Sequence, residues 1–231
     1  MTVPAVSFVV PARNEAGYLD AALSSIESQE TDRRYEVVVA DGGSTDGTAD
    51  VARDHGATVV REGGHSIASG RNRGAEVAAG EWLAFVDADT TVAPEYLERM
   101  LSFVDREGLT AATSNCRITG PRRAKLVEWT INHAFPRLSV PILPGFNTFV
   151  RRDAFESVGG FPEVPNEDTA FSRTIGRSEP TGYCPATLVE SSGRRVAESG
   201  LSGTLYHYLR LDVGRLRRGH SGPTGSGTDA E

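Results

Sequence analysis

Two aspartates separated by one residue, Asp87-Ala88-Asp89, follow the apolar run Trp82 to Val86 (WLAFV). In an extended segment, residues i and i+2 project to the same side. The two carboxylates then stand about 5 to 7 Å apart and repel by roughly 3 kcal/mol at an effective dielectric of about 20. A shared divalent cation removes that repulsion. Hard oxygen ligands of this kind suit Mg2+ or Mn2+ completed by phosphate oxygens. The same residues also suit a turn leading into a helix, because Asp89 precedes TTVAP.

Four further clusters carry chemistry-bearing side chains. Asp41 ends the run YEVVVA and opens the loop DGGSTDGT. Gly42 and Gly43 permit close backbone approach to a ligand, and Ser44, Thr45 or Asp46 can cap the next helix. Asp41 can accept hydrogen bonds from a nucleobase or ribose, or the loop is a plain strand-to-helix turn. It is not a P-loop, since the GxxxxGK[ST] spacing is missing. Gly70-Arg71-Asn72-Arg73-Gly74 lies near a helix start. An arginine there can pair bidentately with a diphosphate, whereas Arg73 fits a solvated helical face better than Arg71 does. Asn166-Glu167-Asp168 precedes a helical segment, so one of its carboxylates is a general base or a helix cap. Ser191-Ser192-Gly193-Arg194-Arg195 supplies a basic pair for a phosphate or for solvent.

The elements that must position these residues are legible as periodic runs. Val6 to Pro11, Tyr35 to Ala40, Thr58 to Val60 and Trp82 to Val86 read as strands. Helices are expected after Asn14 as cap, with Leu19, Ala22, Leu23 and Ile26 on one face, then through His55, over Ser69 to Ala79, and from Pro94 to about Glu107. Such alternation predicts a mostly parallel, doubly wound sheet. Ligands of such sheets sit outside the carboxyl ends of the strands. Pro11 to Glu15, Asp41 to Asp46 and Asp87 to Asp89 all follow strand ends and should share one rim. Beyond residue 107 the pattern is less regular. Strands are expected near Thr110 to Arg117, Phe146 to Arg151 and Tyr183 to Val189. Helices are expected over Ala124 to Ala134, around Phe155 with Asp153 as cap, over Thr169 to Ile175, and from Leu201 to Leu216. The Gly/Ser/Pro-rich end, residues 219–231, reads as a disordered tail.

Composition bounds the partners. The 231 residues include 24 Lys plus Arg and 31 Asp plus Glu, for a net charge of −7. An acidic chain of this kind has no broad basic face for nucleic acid. Lys125 is its only lysine, so phosphate recognition falls to arginine. Cys116 and Cys184 are too few for a disulfide framework or a zinc cluster and read as buried small apolar residues. No signal peptide or membrane-spanning run is evident. The expected compartment is therefore cytoplasmic, with peripheral contact at the inner face of the membrane if the basic end of the Leu201 helix, or the apolar segment Trp129 to Phe149, docks on lipid.

The segments PARNEAGYLDAALSSI, VVVADGGSTDGT, GRNRGAEVAAGEWLAFVDADT and GFNTFVRRDAFESVGGFPEVPNEDTAF, in this order and spacing, resemble the family 2 glycosyltransferases with the GT-A fold. The likeness covers roughly residues 5 to 195. It implies an α/β, Rossmann-like, mostly parallel sheet with helices on both faces and a less regular acceptor-side region. One domain over 1–218 is expected, with a nucleotide-sugar-binding half, 1–107, and an acceptor-side half, 108–218. The implied activity is hexosyltransferase-like transfer from a nucleotide-diphosphate sugar in glycan or glycolipid synthesis. The acceptor is a hydroxyl or a lipid phosphate, on a lipid or a lipid-linked glycan.

The resemblance also assigns residues. Pro11, Arg13, Asn14 and Glu15 line the nucleoside pocket, Asp41 contacts the base, and Gly43 and Ser44 belong to the donor loop. Arg71 lies by the donor. In the DXD motif, Asp87 approaches ribose and metal, Ala88 lines the donor, and Asp89 ligates Mn2+ or Mg2+. Glu167 and Asp168 lie beside the acceptor, with Asp168 as base. Arg194 or Arg195 stands in for a more distal Arg-Trp motif near the diphosphate. The chain departs from the pattern where an Asp-Asp-Gly-Ser loop reads Asp41-Gly42-Gly43-Ser44, and it lacks a QxxRW motif, which argues against a processive synthase. An inverting single displacement is expected. The competing readings are a retaining transferase on the same fold and a non-catalytic nucleotide-sugar-binding subunit. A nucleotidylyltransferase would need a glycine-rich loop with a lysine that this sequence does not have.

Overall fold

The computed structural model describes residues 3–63 and 66–194. The helix expected from Leu201, its basic end, Arg195 and the tail from residue 219 lie outside the described residues. Along the chain run β1 (Val6–Ala12), α1 (Ala16–Glu27), β2 (Tyr35–Asp41), α2 (Thr48–Asp54), β3 (Thr58–Arg61), α3 (Ile67–Val77), β4 (Trp82–Val86), β5 (Thr90–Val92), α4 (Tyr96–Glu107) and β6 (Ala111–Ile118). Then come α5 (Ala124–Trp129), a π-helical turn (Thr130–Ala134), a 3-10 turn (Phe135–Arg137), β7 (Asn147–Arg151), α6 (Arg152–Ser157), α7 (Glu167–Ser178) and β8 (Thr181–Ser191).

The strands form one sheet in the order β3-β2-β1-β4-β7-β6-β8-β5. The pairs β1/β2, β1/β4, β2/β3 and β6/β8 are parallel, while β4/β7, β6/β7 and β5/β8 are antiparallel. Strands β1 to β4 are thus wound as the alternating pattern requires. β7 enters reversed between β4 and β6, and the sheet is mixed from there on.

Helices cover both faces. On one, Leu19, Leu23 and Ile26 of α1 and Leu97, Met100 and Val104 of α4 pack against Phe8, Val10 and Val39. On the other, Ala68 and Ala75 of α3, Phe155 of α6 and Phe171 and Ile175 of α7 pack against Val9, Val38, Leu83 and Phe85. Alternate residues of β1 serve opposite faces, which is why its sequence is apolar throughout rather than alternating. Gly74 lets α3 lie directly on β1, because a Cβ there would overlap Val9 Cγ1. Cys116 and Cys184 are buried free thiols, and burial pushes the Cys116 thiol up to about 12.

Three local expectations are corrected. Asn14 does not cap α1: it adopts a left-handed φ of 54°, and Glu15 takes the N-cap position without a side-chain bond to the helix. The α1 end is held instead by the β2–α2 loop. Thr48 Oγ1 accepts the Glu15 N–H at 2.9 Å and Asp46 Oδ2 accepts the Ala16 N–H at 3.2 Å. Orphan donors at a helix start need some acceptor, and the neighbouring loop supplies it here. Asp153 is not the cap of α6 but its second residue, paired with Arg151 at 2.5 Å. Asp87 to Asp89 form a turn rather than an extended continuation of β4, closed by the Thr90 N–H to the Asp87 carbonyl at 3.0 Å. The next residues, Thr90–Val92, are an edge strand on β8.

Candidate active site

Arg71 joins the two halves of the chain. It sits in the second turn of α3 with its side chain 3% exposed. Its Nη2 bonds Asp87 Oδ1 at 2.8 Å and its Nη1 bonds Glu167 Oε1 at 2.8 Å. The guanidinium lies over the Phe161 ring, 5.1 Å from its centroid. A Cβ on Gly145 would meet the guanidinium carbon at 2.6 Å, so a larger residue there would have to displace the Arg71 side chain. Burial alone would pull the Arg71 pKa down, but the carboxylates of Asp87 and Glu167 more than offset it, and the group is held firmly charged. Its rear wall is an aromatic cluster. Phe161 stands 4.5 Å from Phe171 and 5.0 Å from Phe85, centroid to centroid. The Asn72 amide pins the same segment, donating to the Phe161 carbonyl at 2.8 Å and accepting the Phe161 N–H at 2.9 Å.

At the carboxyl ends of β1, β2 and β4 opens a cleft of about 310 Å³. Pro11, Arg13, Glu15, Gly42, Asp87, Ala88 and Asp89, from the three segments expected on one rim, line it together with Glu62, Ser66 and Arg194. Arg194 reaches across it. Its Nε meets Asp89 Oδ2 at 3.0 Å, its Nη2 pairs with Glu15 Oε1, and its guanidinium stacks 4.5 Å from the Tyr18 ring. The bond to Glu15 raises its pKa further, against a smaller opposing effect of burial. Backbone pairing brings Arg194 there: β8 runs beside β5, and the Ser192 N–H donates to the Asp89 carbonyl at 3.1 Å.

The other expected residues stand as follows. Asp41 is buried, with Oδ1 accepting the Ser44 N–H at 3.0 Å, so its carboxylate organises its own loop. Gly43 is left-handed, with φ 77°. Asn14 ties that loop to β1: its Oδ1 accepts the Thr45 N–H at 2.8 Å and its N–H donates to Ser44 Oγ at 2.9 Å. Glu167 and Asp168 open α7 on the far side of Arg71 from the cleft carboxylate Asp87. Asp168 is half-buried, and its Oδ1 accepts the Thr169 N–H at 2.6 Å. Burial raises the Asp168 pKa, the adjacent Glu167 charge adds to that, and Arg71 and the N–H groups of Thr169 and Gly145 oppose it. A carboxyl held above its ordinary range and beside a permanent cation is suited to accepting a proton.

Sequence reasoning missed Tyr18, Glu62 and Gly145. Tyr18 was hidden as one more exposed residue of an amphipathic helix, and Glu62 followed a weak edge strand. Gly145, in the turn between Pro144 and β7, is distinguished only by what packs on it.

The donor set fits a divalent cation in part. Asp87 and Asp89 offer hard oxygens, and Glu15 Oε2 is buried without a partner beside them. Among the described residues no three His, Cys, Asp or Glu side chains are gathered to hold a metal on their own. That is the situation of a cation bound by one or two carboxylates and completed by substrate phosphates.

Comparison with known proteins agrees with this architecture. The mannosyltransferase PcManGT from Pyrobaculum calidifontis, solved with GDP-Man and Mn2+, superposes with a TM-score of 0.72 at 23% identity, over 98% of this chain and 67% of that one. TarS of S. aureus superposes with a TM-score of 0.68 at 18% identity, over 91% of this chain and 39% of that one. The fold is therefore the GT-A fold of these transferases. Glycosyltransferase AglE of Haloferax volcanii is 31% identical over 70% of this chain and 57% of its own length. The succinoglycan biosynthesis protein ExoO of Rhizobium meliloti is 26% identical over 94% of this chain and 64% of its own length. The chain thus spans less than two thirds of either relative. The family model for glycosyl transferase family 2 matches residues 7–159, which contain the cleft carboxylates and Arg71, and the chain belongs to that family.

Proposed function

We propose that this chain transfers a glycosyl residue from a nucleoside-diphosphate sugar to an acceptor hydroxyl or lipid phosphate, with inversion at the anomeric carbon. The observation that carries the reading is the Arg71 bridge. One buried cation holds a cleft carboxylate, Asp87, and an α7 carboxylate, Glu167, at 2.8 Å each. It thereby sets the donor cleft beside Asp168.

Each residue then has a task its surroundings suit. The cleft at the ends of β1, β2 and β4 takes the nucleoside between the Pro11 to Glu15 segment and the Gly42-Gly43-Ser44 loop. Asp87 and Asp89 are the residues that would hold Mn2+ or Mg2+, which supplies charge neutralisation for the diphosphate leaving group. PcManGT and the glucosyl-3-phosphoglycerate synthase of Mycobacterium tuberculosis were both solved with Mn2+, and this supports that reading. Arg71 keeps Asp87 oriented. Arg194, tethered to Asp89 and Glu15, turns onto the diphosphate when the donor enters and adds a second positive charge where negative charge develops. Asp168 takes the proton of the acceptor hydroxyl as its oxygen bonds to the anomeric carbon. The bond from that carbon to the diphosphate oxygen breaks, and its electron pair leaves with the nucleotide. Attack opposite the leaving group inverts the configuration. An acceptor phosphate is already anionic and needs no base.

A panel of UDP, GDP and dTDP sugars incubated with Mn2+ tests the reading. One donor should be hydrolysed slowly without acceptor and transferred when acceptor is added, and NMR should show the inverted anomer. Asp89→Ala should lower turnover by at least about 100-fold. An unaffected rate in that variant, or a retained anomer, would remove the assignment.

A further inference from the structure

The chain is acidic overall, with a net charge of −7, yet residues 108–137 hold Arg117, Arg122, Arg123, Lys125 and Arg137 against a single acid, Glu128. Arg122, Arg123, Lys125 and Arg137 lie on or just before the helix that runs from α5 through the π and 3-10 turns to Arg137, while Arg117 lies on β6 and faces Glu190 at 3.6 Å. Its inner face is locked. Ala124 and Ile131 are buried in the core, with Val127 and Phe135 packed behind them. Asn132 accepts the Cys116 N–H at 2.9 Å and donates back to the Cys116 carbonyl at 2.8 Å. Glu128 accepts the Ile118 N–H at 2.7 Å.

The outer face is a different surface. Leu126 is 50% exposed and Trp129 56% exposed, and Leu138 just beyond the helix is 45% exposed. The His133 ring stacks on Trp129 with centroids 5.5 Å apart. Positions 126, 129 and 133 fall on one stripe of a helix, and the spacing of 122 and 137 continues that stripe at either end. An aromatic and aliphatic stripe bounded by arginines, on a helix whose other face is fixed to the protein, is the form of an element that lies in a membrane interface. Tryptophan suits that depth because its ring is apolar and its N–H is polar. The basic flanks select an anionic surface. A second copy is the poorer occupant, since a two-fold pairing would set this basic patch against itself.

We propose that the exposed face of the helix from Ala124 to Arg137 docks on an anionic lipid surface, with Leu126 and Trp129 at headgroup level and Arg122, Arg123 and Arg137 at the lipid phosphates. The chain continues from this helix through Leu138 to Gly145, against the Arg71 guanidinium. Docking would therefore engage the acceptor half of the chain.

Sedimentation of the full chain with vesicles tests this. Vesicles of phosphatidylcholine with phosphatidylglycerol should carry the protein down, and phosphatidylcholine alone should not. Binding should fade as salt rises. Trp129→Ala with Leu126→Ser should weaken binding about tenfold, and Arg122→Glu should weaken it on anionic vesicles only. The fluorescence of bound protein should shift to the blue, and Trp129→Phe should abolish the shift, because Trp82 is stacked on Phe149 at 5.0 Å. These side chains point outward, so an unchanged melting temperature and unchanged donor hydrolysis confirm that the variants are folded. Substitution of Arg210, Arg215, Arg217 and Arg218 by alanine is the counter-test. The proposal is overturned if those four changes abolish binding while the Trp129 and Leu126 changes do not. It is equally overturned if anionic vesicles fail to bind, or if the double substitution instead abolishes a concentration-dependent dimer.

Discussion

The donor side of the sheet and its acceptor side are built by different means. Up to β4, Asn14, Glu15 and Asp41 follow or end the strands that carry them, and bonds to the next loop or helix start fix them. Asn14 reaches Ser44 and Thr45, Glu15 reaches Thr48, and Asp41 reaches Ser44. On the acceptor side, three residues are placed by partners far along the chain. Glu167 is held by Arg71, Phe161 by Asn72, and Arg194 by Glu15 and Asp89. The donor side is thus a generic strand-end cleft, while the acceptor side is a set of parts clipped onto it through a few buried polar contacts. Breaking a clip should disturb the site more than altering the cleft loops.

The largest effect is expected at the clip between the two sides. Arg71→Met leaves Asp87 and Glu167 without their shared cation in a largely buried setting. Loss of one partner from a buried pair costs about 3–5 kcal/mol. Urea titration should show a loss of that size, and turnover should fall by at least about 1000-fold even at temperatures where the variant is folded. If stability and turnover both survive, the two sides do not depend on this residue, and the contrast drawn above fails.

The contrast also explains what the sequence made legible. The strand Trp82–Val86 and the helix face of Leu19, Ala22, Leu23 and Ile26 were readable because periodicity is local. The strand-end rule then placed Pro11, Asp87 and Asp89 around one cleft before any contact was known. The strand from Phe146 to Arg151 was readable too, but its reversed pairing with β4 and β6 was not, and the three-residue β5 carries no comparable signal. Arg71 was expected to pair with a diphosphate, but its guanidinium is buried between the carboxylates of Asp87 and Glu167; Glu167 lies 96 residues away, and no spacing rule spans that distance. Arg194 was singled out with Arg195 as an interchangeable pair. The β5/β8 pairing, and the Ser192 to Asp89 bond beside it, bring Arg194 to the cleft, while Arg195 lies outside the described residues. The expected cap at Asn14 failed because the neighbouring loop satisfies the helix end, which a single-segment reading cannot anticipate.

A smaller effect, confined to the acceptor side, is expected at Asp168. Asp168→Asn should lower transfer to a hydroxyl by about 100- to 10,000-fold while leaving donor binding by calorimetry unchanged. A phosphate acceptor should be spared. In the wild type, the acid limb of kcat/KM should lie above the ordinary aspartate value of about 3.9, since burial and Glu167 raise this carboxyl. The sign for stability is the reverse. A raised carboxyl pKa means that the folded state favours the protonated form, so that contribution is present below the raised value and is lost as pH climbs through it. The asparagine variant should therefore be at least as stable as the wild type near neutral pH. A limb at the ordinary value would separate Asp168 from proton transfer.

Arg194 tests whether the clip over the cleft competes with the cation. It pairs with Asp89 at 3.0 Å, the carboxylate a metal would need. Arg194→Ala should strengthen Mn2+ binding to the donor-free protein, read by electron paramagnetic resonance, by about tenfold. It should weaken nucleotide-sugar binding by a similar factor, as expected for one charge-assisted contact. Weakening of both would make Arg194 a support for the metal site rather than its rival.

The smallest effect belongs to a local contact on the donor side and should leave chemistry untouched. His55, at the end of α2, bonds Glu27 through Nδ1 at 2.9 Å and Asp20 through Nε2 at 3.1 Å, both on α1. The bond to Asp20 raises its pKa, burial partly opposes this, and Glu27 adds to the rise. A raised histidine pKa stabilises the fold fully below the unfolded value of about 6.5, and the contribution vanishes as pH rises through the folded value. His55→Ala should thus lower stability by about 0.5–1 kcal/mol in mildly acidic buffer, with the difference shrinking in alkaline buffer. Donor affinity and turnover should stay at the wild-type level, because both carboxylate partners lie on the solvent side of α1. A change in turnover at His55 would mean that the donor cleft, too, depends on contacts outside its own rim. In that case the two sides would differ in degree rather than in kind.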